Sequence, residues 1–178
     1  MRSRAKTQKI ALGAMLAALG VVLQYFGAVI EVLDLTCCAA ASLIIVFAVI
    51  EFGRKYAYGV YAATLILSAI LVPNKFEVAA YAFVALYVII KSNIERLKRV
   101  SSWILKLLYF NIVLALALTL AKLVFMTPDL DLMAVVFFEV VGNVAFILFD
   151  IAVTKLIILY IYRLRARFKI DRYVAKLR

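Results

Sequence analysis

Residues 10–30 read IALGAMLAALGVVLQYFGAVI, an apolar run without one charged side chain. A helix rises about 1.5 Å per residue and a bilayer's hydrocarbon core is about 30 Å thick, so a run of this length can cross it. Arg2, Arg4, Lys6 and Lys9 precede the run, as basic residues precede a secretory signal. Its apolar part exceeds the roughly 7–15 residues of a signal core, so it reads as a retained first span.

Working outward, five more apolar runs follow at 35–50, 56–72, 78–95, 103–125 and 132–158, giving spans 10–30 through 132–158 in one domain, 1–178. The breaks between them are short and polar: Glu31 and Asp34, then Gly53-Arg54-Lys55, then Pro73-Asn74-Lys75, then the charged 91–99, then 127–131 with Thr127-Pro128-Asp129 as a turn and helix start. The last apolar run continues to Tyr162, too long for one untilted span, so its end is expected to protrude or bend along the surface.

Composition agrees. Of 178 residues, 68% are hydrophobic and 17% charged, and the mean hydropathy is +1.08. Soluble domains run about 45–50% apolar and about 25% charged. The fold class expected is an all-α integral membrane protein with six transmembrane helices. With no histidine, a histidine base, a histidine metal ligand and a Ser/His/Asp triad are all excluded. No phosphate-binding loop of the Walker type occurs, so the chain does not hydrolyse ATP itself. No metal site and no cofactor are expected; Cys37 and Cys38 read as small packing residues.

The formal net charge is +11. Most basic residues fall on one set of segments: the N-terminal stretch, Arg54 and Lys55, the 91–99 connector, and the tail beyond Tyr162. The opposite set holds Lys75 with Glu31, Asp34, Glu77, Asp129 and Asp131. The positive-inside rule then places both termini in the cytoplasm. Basic residues at membrane borders set topology and meet anionic lipid, so no nucleic-acid partner is expected.

Ionisable groups in hydrocarbon are expensive, roughly 2.5–3.5 kcal/mol on insertion scales, and call for partners. Folding the last two spans about 127–131 sets Lys122 opposite Glu139, Lys106 opposite Asp150, and Asn111 opposite Asn143. Glu139, Asn143, Asp150 and Thr154 share one helix face. Two readings stand: the stripe ties the hairpin together, or its outer part, Glu139 and Asn143 with Asn111, lines a ligand cavity. Glu31, Asp34, Asn74, Lys75 and Glu77 would roof such a cavity, or are solvated turn residues. On the first span, Gly13–Ala17 and Ala14–Ala18 are small-xxx-small pairs that let another helix approach.

Residues 9–19, KIALGAMLAAL, resemble the first helix of S components, the substrate-binding membrane subunits of energy-coupling factor (ECF) transporters. Ala14 and Ala18 match the Ala-x-x-x-Ala face that docks there onto a T component. Residues 51–57, EFGRKYA, are similar to that family's Gly-basic turn between helices two and three. The resemblance implies a subunit binding a vitamin-like small molecule in an outward cavity built mainly from helices four to six and the outer loops, in the plasma membrane of a prokaryote. It implies a T-type transmembrane component and two cytosolic ATPases as partners. No signature for riboflavin, thiamine or biotin is present, and the lack of histidine argues against a nickel or cobalt carrier. The alternative is a non-transport scaffold or assembly protein of the cell envelope. An intramembrane enzyme is the least favoured reading, because no paired-acid motif appears.

Overall fold

A computed structural model describes residues 2–125 and 132–164. The described residues are helical almost throughout and contain no strand. The helices are α1 (Arg2–Val29), α2 (Asp34–Phe52), α3 (Arg54–Leu71), α4 (Lys75–Ile94), α5 (Arg99–Phe125) and α6 (Leu132–Leu159). A 3-10 turn, Glu31–Leu33, joins α1 to α2, and a π-type turn, Tyr160–Leu164, continues α6. The 127–131 turn and the basic tail beyond Leu164 lie outside the described residues, as do the side chains of Glu31 and Lys122.

Five of the six helices are long and apolar enough to cross a membrane. The exception is α3. Its 18 residues begin with Arg54 and Lys55 and carry Tyr56, Tyr58 and Tyr61 in the first half, which dilutes its hydropathy. Large apolar side chains stand exposed along helix faces: Ile10, Met15 and Phe26 on α1, Ile104, Leu108 and Ile112 on α5. Apolar area of this extent is uncommon on monomeric soluble proteins and suits a lipid surround.

The chain forms two compact units: Met1–Ser92 with Leu159–Arg178, and Asn93–Ile158. In the first unit, α1, α2 and α3 pack on one another. The face that α1 turns inward carries Gly13, Ala17, Gly20, Gln24 and Gly27, spaced alternately four and three residues apart. That alternation keeps one stripe of a helix on its partners. Small residues there bring backbones close: a Cβ on Gly13 would lie 3.3 Å from Val60 on α3. The outward side of α1 shows Ala14 and Ala18 exposed, while Ala17 is buried. The two small-residue pairs therefore do different jobs, one inside the unit and one on its surface.

Two turns set the ends of these helices. Gly53 joins α2 to α3 at φ 84° and ψ 166°. That backbone region is nearly confined to glycine, so the Gly-basic turn has a conformational reason. At the other end, Asn74 Oδ1 accepts the Phe76 backbone N–H at 3.0 Å and so caps α4. The cap draws the helix start back to Lys75, three residues before the sequence-based boundary, and brings Glu77 into its first turn. Lys75 Nζ donates to the carbonyls of Ala69 and Val72 at 2.7 and 2.9 Å, satisfying the orphan acceptors that end α3.

Candidate functional site

The polar groups of the first unit gather along the inward stripe of α1. Glu77 on α4 is 1% exposed, and neither of its carboxylate oxygens has a hydrogen-bond partner. Its carboxyl group presses against Gly27, where a Cβ would run into Glu77 Oε1 and into Cys37 Cβ on α2. Only glycine at position 27 leaves that space open. Asp34, at the start of α2, receives Asn74 Nδ2 on Oδ2 at 2.9 Å, while its Oδ1 is buried and unmatched. One turn along α1 from Gly27, Gln24 is fully buried; its Nε2 reaches the Gly20 carbonyl at 3.4 Å and its Oε1 reaches nothing.

Hydroxyls line the rest of the seam. Thr64 Oγ1 donates to the Val60 carbonyl at 2.8 Å, a bond within its own helix, and its methyl meets α1 at Gly20. Ser68, one turn further on α3, is fully buried with an unmatched Oγ. Tyr81, one turn beyond Glu77, is buried and stacks with Tyr61 at 6.3 Å. Tyr61 in turn donates its hydroxyl to the Ala82 carbonyl at 3.0 Å and ties α3 to α4. Buried polar atoms in proteins are nearly always paired. Here Gln24, Asp34, Ser68 and Glu77 each keep an unpaired atom in one seam.

At the opposite end of the same unit a cavity of about 320 Å³ opens among Lys9, Gly13, Ala14, Lys55, Tyr56, Gly59 and Ala63, with others. Four of its lining residues, Gly13, Ala14, Gly59 and Ala63, are small, and Ile10, Phe52 and Val60 complete it. Lys9 Nζ sits 5.3 Å from the centre of the Tyr56 ring at its rim, a cation–π contact. Beside it, Tyr160 donates its hydroxyl to Glu51 Oε1 at 2.9 Å and packs edge-on against Phe47.

The second unit holds the other sequence-derived candidates. Lys106 Nζ lies 2.8 Å from Asp150 Oδ2 and 3.2 Å from Glu95 Oε1, and stands over the Trp103 ring. Asn111 and Asn143 exchange two amide hydrogen bonds, at 3.3 and 3.0 Å. Asn143 also donates to the Glu139 carbonyl at 2.8 Å. Phe110 and Phe146 stack beside them at 4.8 Å, with Phe110 lying over Gly142. The asparagines thus spend their donors on each other and on the backbone rather than presenting them to a cavity. Glu139 is exposed on the surface of α6. Its pairing with Lys122 lies outside the described residues.

Of the outer-turn candidates, the structure brings Asp34 and Asn74 together and sets Lys75 on the backbone. It moves Glu77 from a turn to a buried helical position. Gln24, Gly27 and Ser68 were missed in the sequence. The signal for the first two was the four-and-three spacing continuing beyond Ala17; Ser68 gave none. Among the described residues no group of histidine, cysteine and carboxylate side chains is arranged to hold a metal ion. No protein-family model, no curated protein and no solved structure matches the chain.

Proposed function

We propose that the chain is the substrate-binding subunit of an ECF-type importer, with six spans and both termini on the cytoplasmic side of a prokaryotic plasma membrane. It binds a vitamin-like small solute from outside and relies on a T-type component and two cytosolic ATPases for energy. At 18 residues, α3 reaches about 27 Å, enough to cross when it is packed in a bundle. The described basic groups Lys9, Arg54, Lys55 and Lys91 share one end of the first unit with the single acid Glu51, and Asp34 and Glu77 share the other with the single base Lys75, in line with the positive-inside orientation.

The observation that carries this reading is the division of α1. Its outward Ala14 opens onto a small-residue groove with Gly59 and Ala63, suited to a partner helix, while its inward stripe borders a polar interior. One helix thus borders both a surface groove and a buried polar seam. The test is purification of the tagged protein from its native membrane in mild detergent. A T-type membrane protein and two ATPases are expected to accompany it, and to be lost from the Ala14→Trp, Ala18→Trp double variant. Recovery of the protein alone, or with envelope-assembly proteins only, overturns the reading.

One observation favours the alternative of a non-transport scaffold. The Lys106–Asp150 and Asn111–Asn143 pairs satisfy one another within the α5–α6 hairpin, as a purely structural element would. Under the importer reading that hairpin is a support and the ligand lies among α1–α4.

A further inference from the structure

The unmatched atoms of the seam have a common chemical sense. Gln24 Oε1, Asp34 Oδ1 and both oxygens of Glu77 are acceptors. Donors nearby are already spent or turned elsewhere. Asn74 is used on Asp34, Gln24 Nε2 on Gly20, and Lys75 on the end of α3. The hydroxyls of Ser68 and Tyr81 reach neither carboxylate. Among the described residues no lysine or arginine pairs with Glu77.

Electrostatics sharpens the point. Glu77 and Asp34 sit in the first turns of α4 and α2, where the helix dipole favours an anion by about 0.3–1 kcal/mol each. Burying an uncompensated carboxylate costs several kcal/mol even after relaxation. The dipoles fall short by a wide margin, so Glu77 is neutralised either by a proton or by a positive charge from outside the chain. Space limits its size: the carboxyl group already fills the gap left by Gly27. The absence of a three-ligand metal arrangement among the described residues points away from a tightly held transition metal.

We infer that Glu77, with Asp34 and Gln24, forms a site for a small monovalent cation, either a bare alkali ion or the ammonium group of a small amine. The inference deepens the importer reading by naming the chemistry of what enters the α1–α4 interior. Its test, made on the isolated subunit, does not depend on the partner complex. An alkali ion would be coordinated by the four acceptors; an ammonium group would donate its N–H bonds to them. Asn74 holds Asp34 from the side away from its free Oδ1, keeping that oxygen available.

The experiment uses the full-length protein in detergent at fixed pH and ionic strength. Thermal unfolding is followed in N-methylglucamine chloride, then with sodium, potassium, ammonium or methylammonium replacing it. At least one small cation is expected to raise Tm saturably, by about 5–10 °C at a hundredfold excess over its Kd. A response to sodium or potassium without methylammonium identifies an alkali ion, ammonium being able to replace potassium; a response to methylammonium identifies an amine head. Glu77→Gln is expected to abolish the response while keeping a Tm at or above that of the cation-free protein, and Glu95→Gln to retain it. Should Glu77→Gln fail to fold, calorimetric titration of the unmodified protein with the responding cation is expected to give one site per chain. A Tm indifferent to all four cations, a Tm that follows pH alone, or an unchanged response in Glu77→Gln overturns the inference.

Discussion

Lys106 and Asp150 form a buried ion pair at 2.8 Å, with their side chains only 6% and 3% exposed. Glu95, at 3.2 Å and 37% exposed, is a second and wetter partner of the same ammonium. Such a pair stabilises through mutual compensation, and removing one member leaves the other uncompensated at about 3–5 kcal/mol. Asp150→Asn and Lys106→Met are each expected to lower Tm in detergent markedly. The double variant Lys106→Met, Asp150→Leu is expected to lie closer to the unmodified protein than either single one. A double-mutant cycle on thermal unfolding measures the coupling.

Asn74 carries two tasks with one amide, capping α4 through Oδ1 and holding Asp34 through Nδ2. Asn74→Asp retains the cap but places two carboxylates together. Asn74→Ala loses both tasks. A lost cap is worth about 0.5–2 kcal/mol and a hydrogen bond to a charged group about 1.5–3 kcal/mol. Asn74→Asp is therefore expected to destabilise at neutral pH and to recover towards acid pH, while Asn74→Ala stays low throughout. Unfolding of the two variants from pH 5 to pH 8 distinguishes them.

Gly27 has no room for a side chain, since a methyl group there meets Glu77 and Cys37 together. Overpacking of this kind costs typically about 1–3 kcal/mol. Gly27→Ala is expected to lower stability, and pairing it with Glu77→Ala to restore only the part due to Glu77, since the contact with Cys37 Cβ remains. The same methyl on Gly59 meets nothing within 4 Å, so Gly59→Ala is expected to leave stability unchanged or slightly raised through helix propensity. Side-by-side melts of Gly27→Ala and Gly59→Ala provide the check.

The two halves of the chain differ in how much of them could be read in advance. The α5–α6 contacts follow from counting. One short turn between two long apolar runs sets the register, and Lys106, Asp150, Asn111 and Asn143 then meet by arithmetic. The α1–α4 seam is assembled from residues that look ordinary one at a time. Gln24 lies in an apolar run, Thr64 is a small hydroxyl that its helix accommodates by bonding its own backbone, Ser68 is a small hydroxyl with no such bond, and Glu77 sits beside a proline turn. Their convergence depends on which faces of four helices meet. Periodicity narrows that choice for α1, with its alternation of small residues, but leaves it open for α3 and α4. α4 starts earlier than hydropathy predicts for a local reason: the Asn74 cap carries the helix through a lysine and a glutamate that hydropathy assigns to the turn.

The double-sided character of α1 has a mechanical consequence. Nine residues separate Ala18 on its outer face from Gly27 on its inner one, about 14 Å along the axis, with no proline between them. A helix of that length transmits a tilt or rotation as a rod. Whatever grips Ala14 and Ala18 from outside therefore also displaces Gly20, Gln24 and Gly27, and with them the backbone packed against Glu77. In this chain, grasping the outer surface of α1 and shifting the buried polar seam around Glu77 are a single movement.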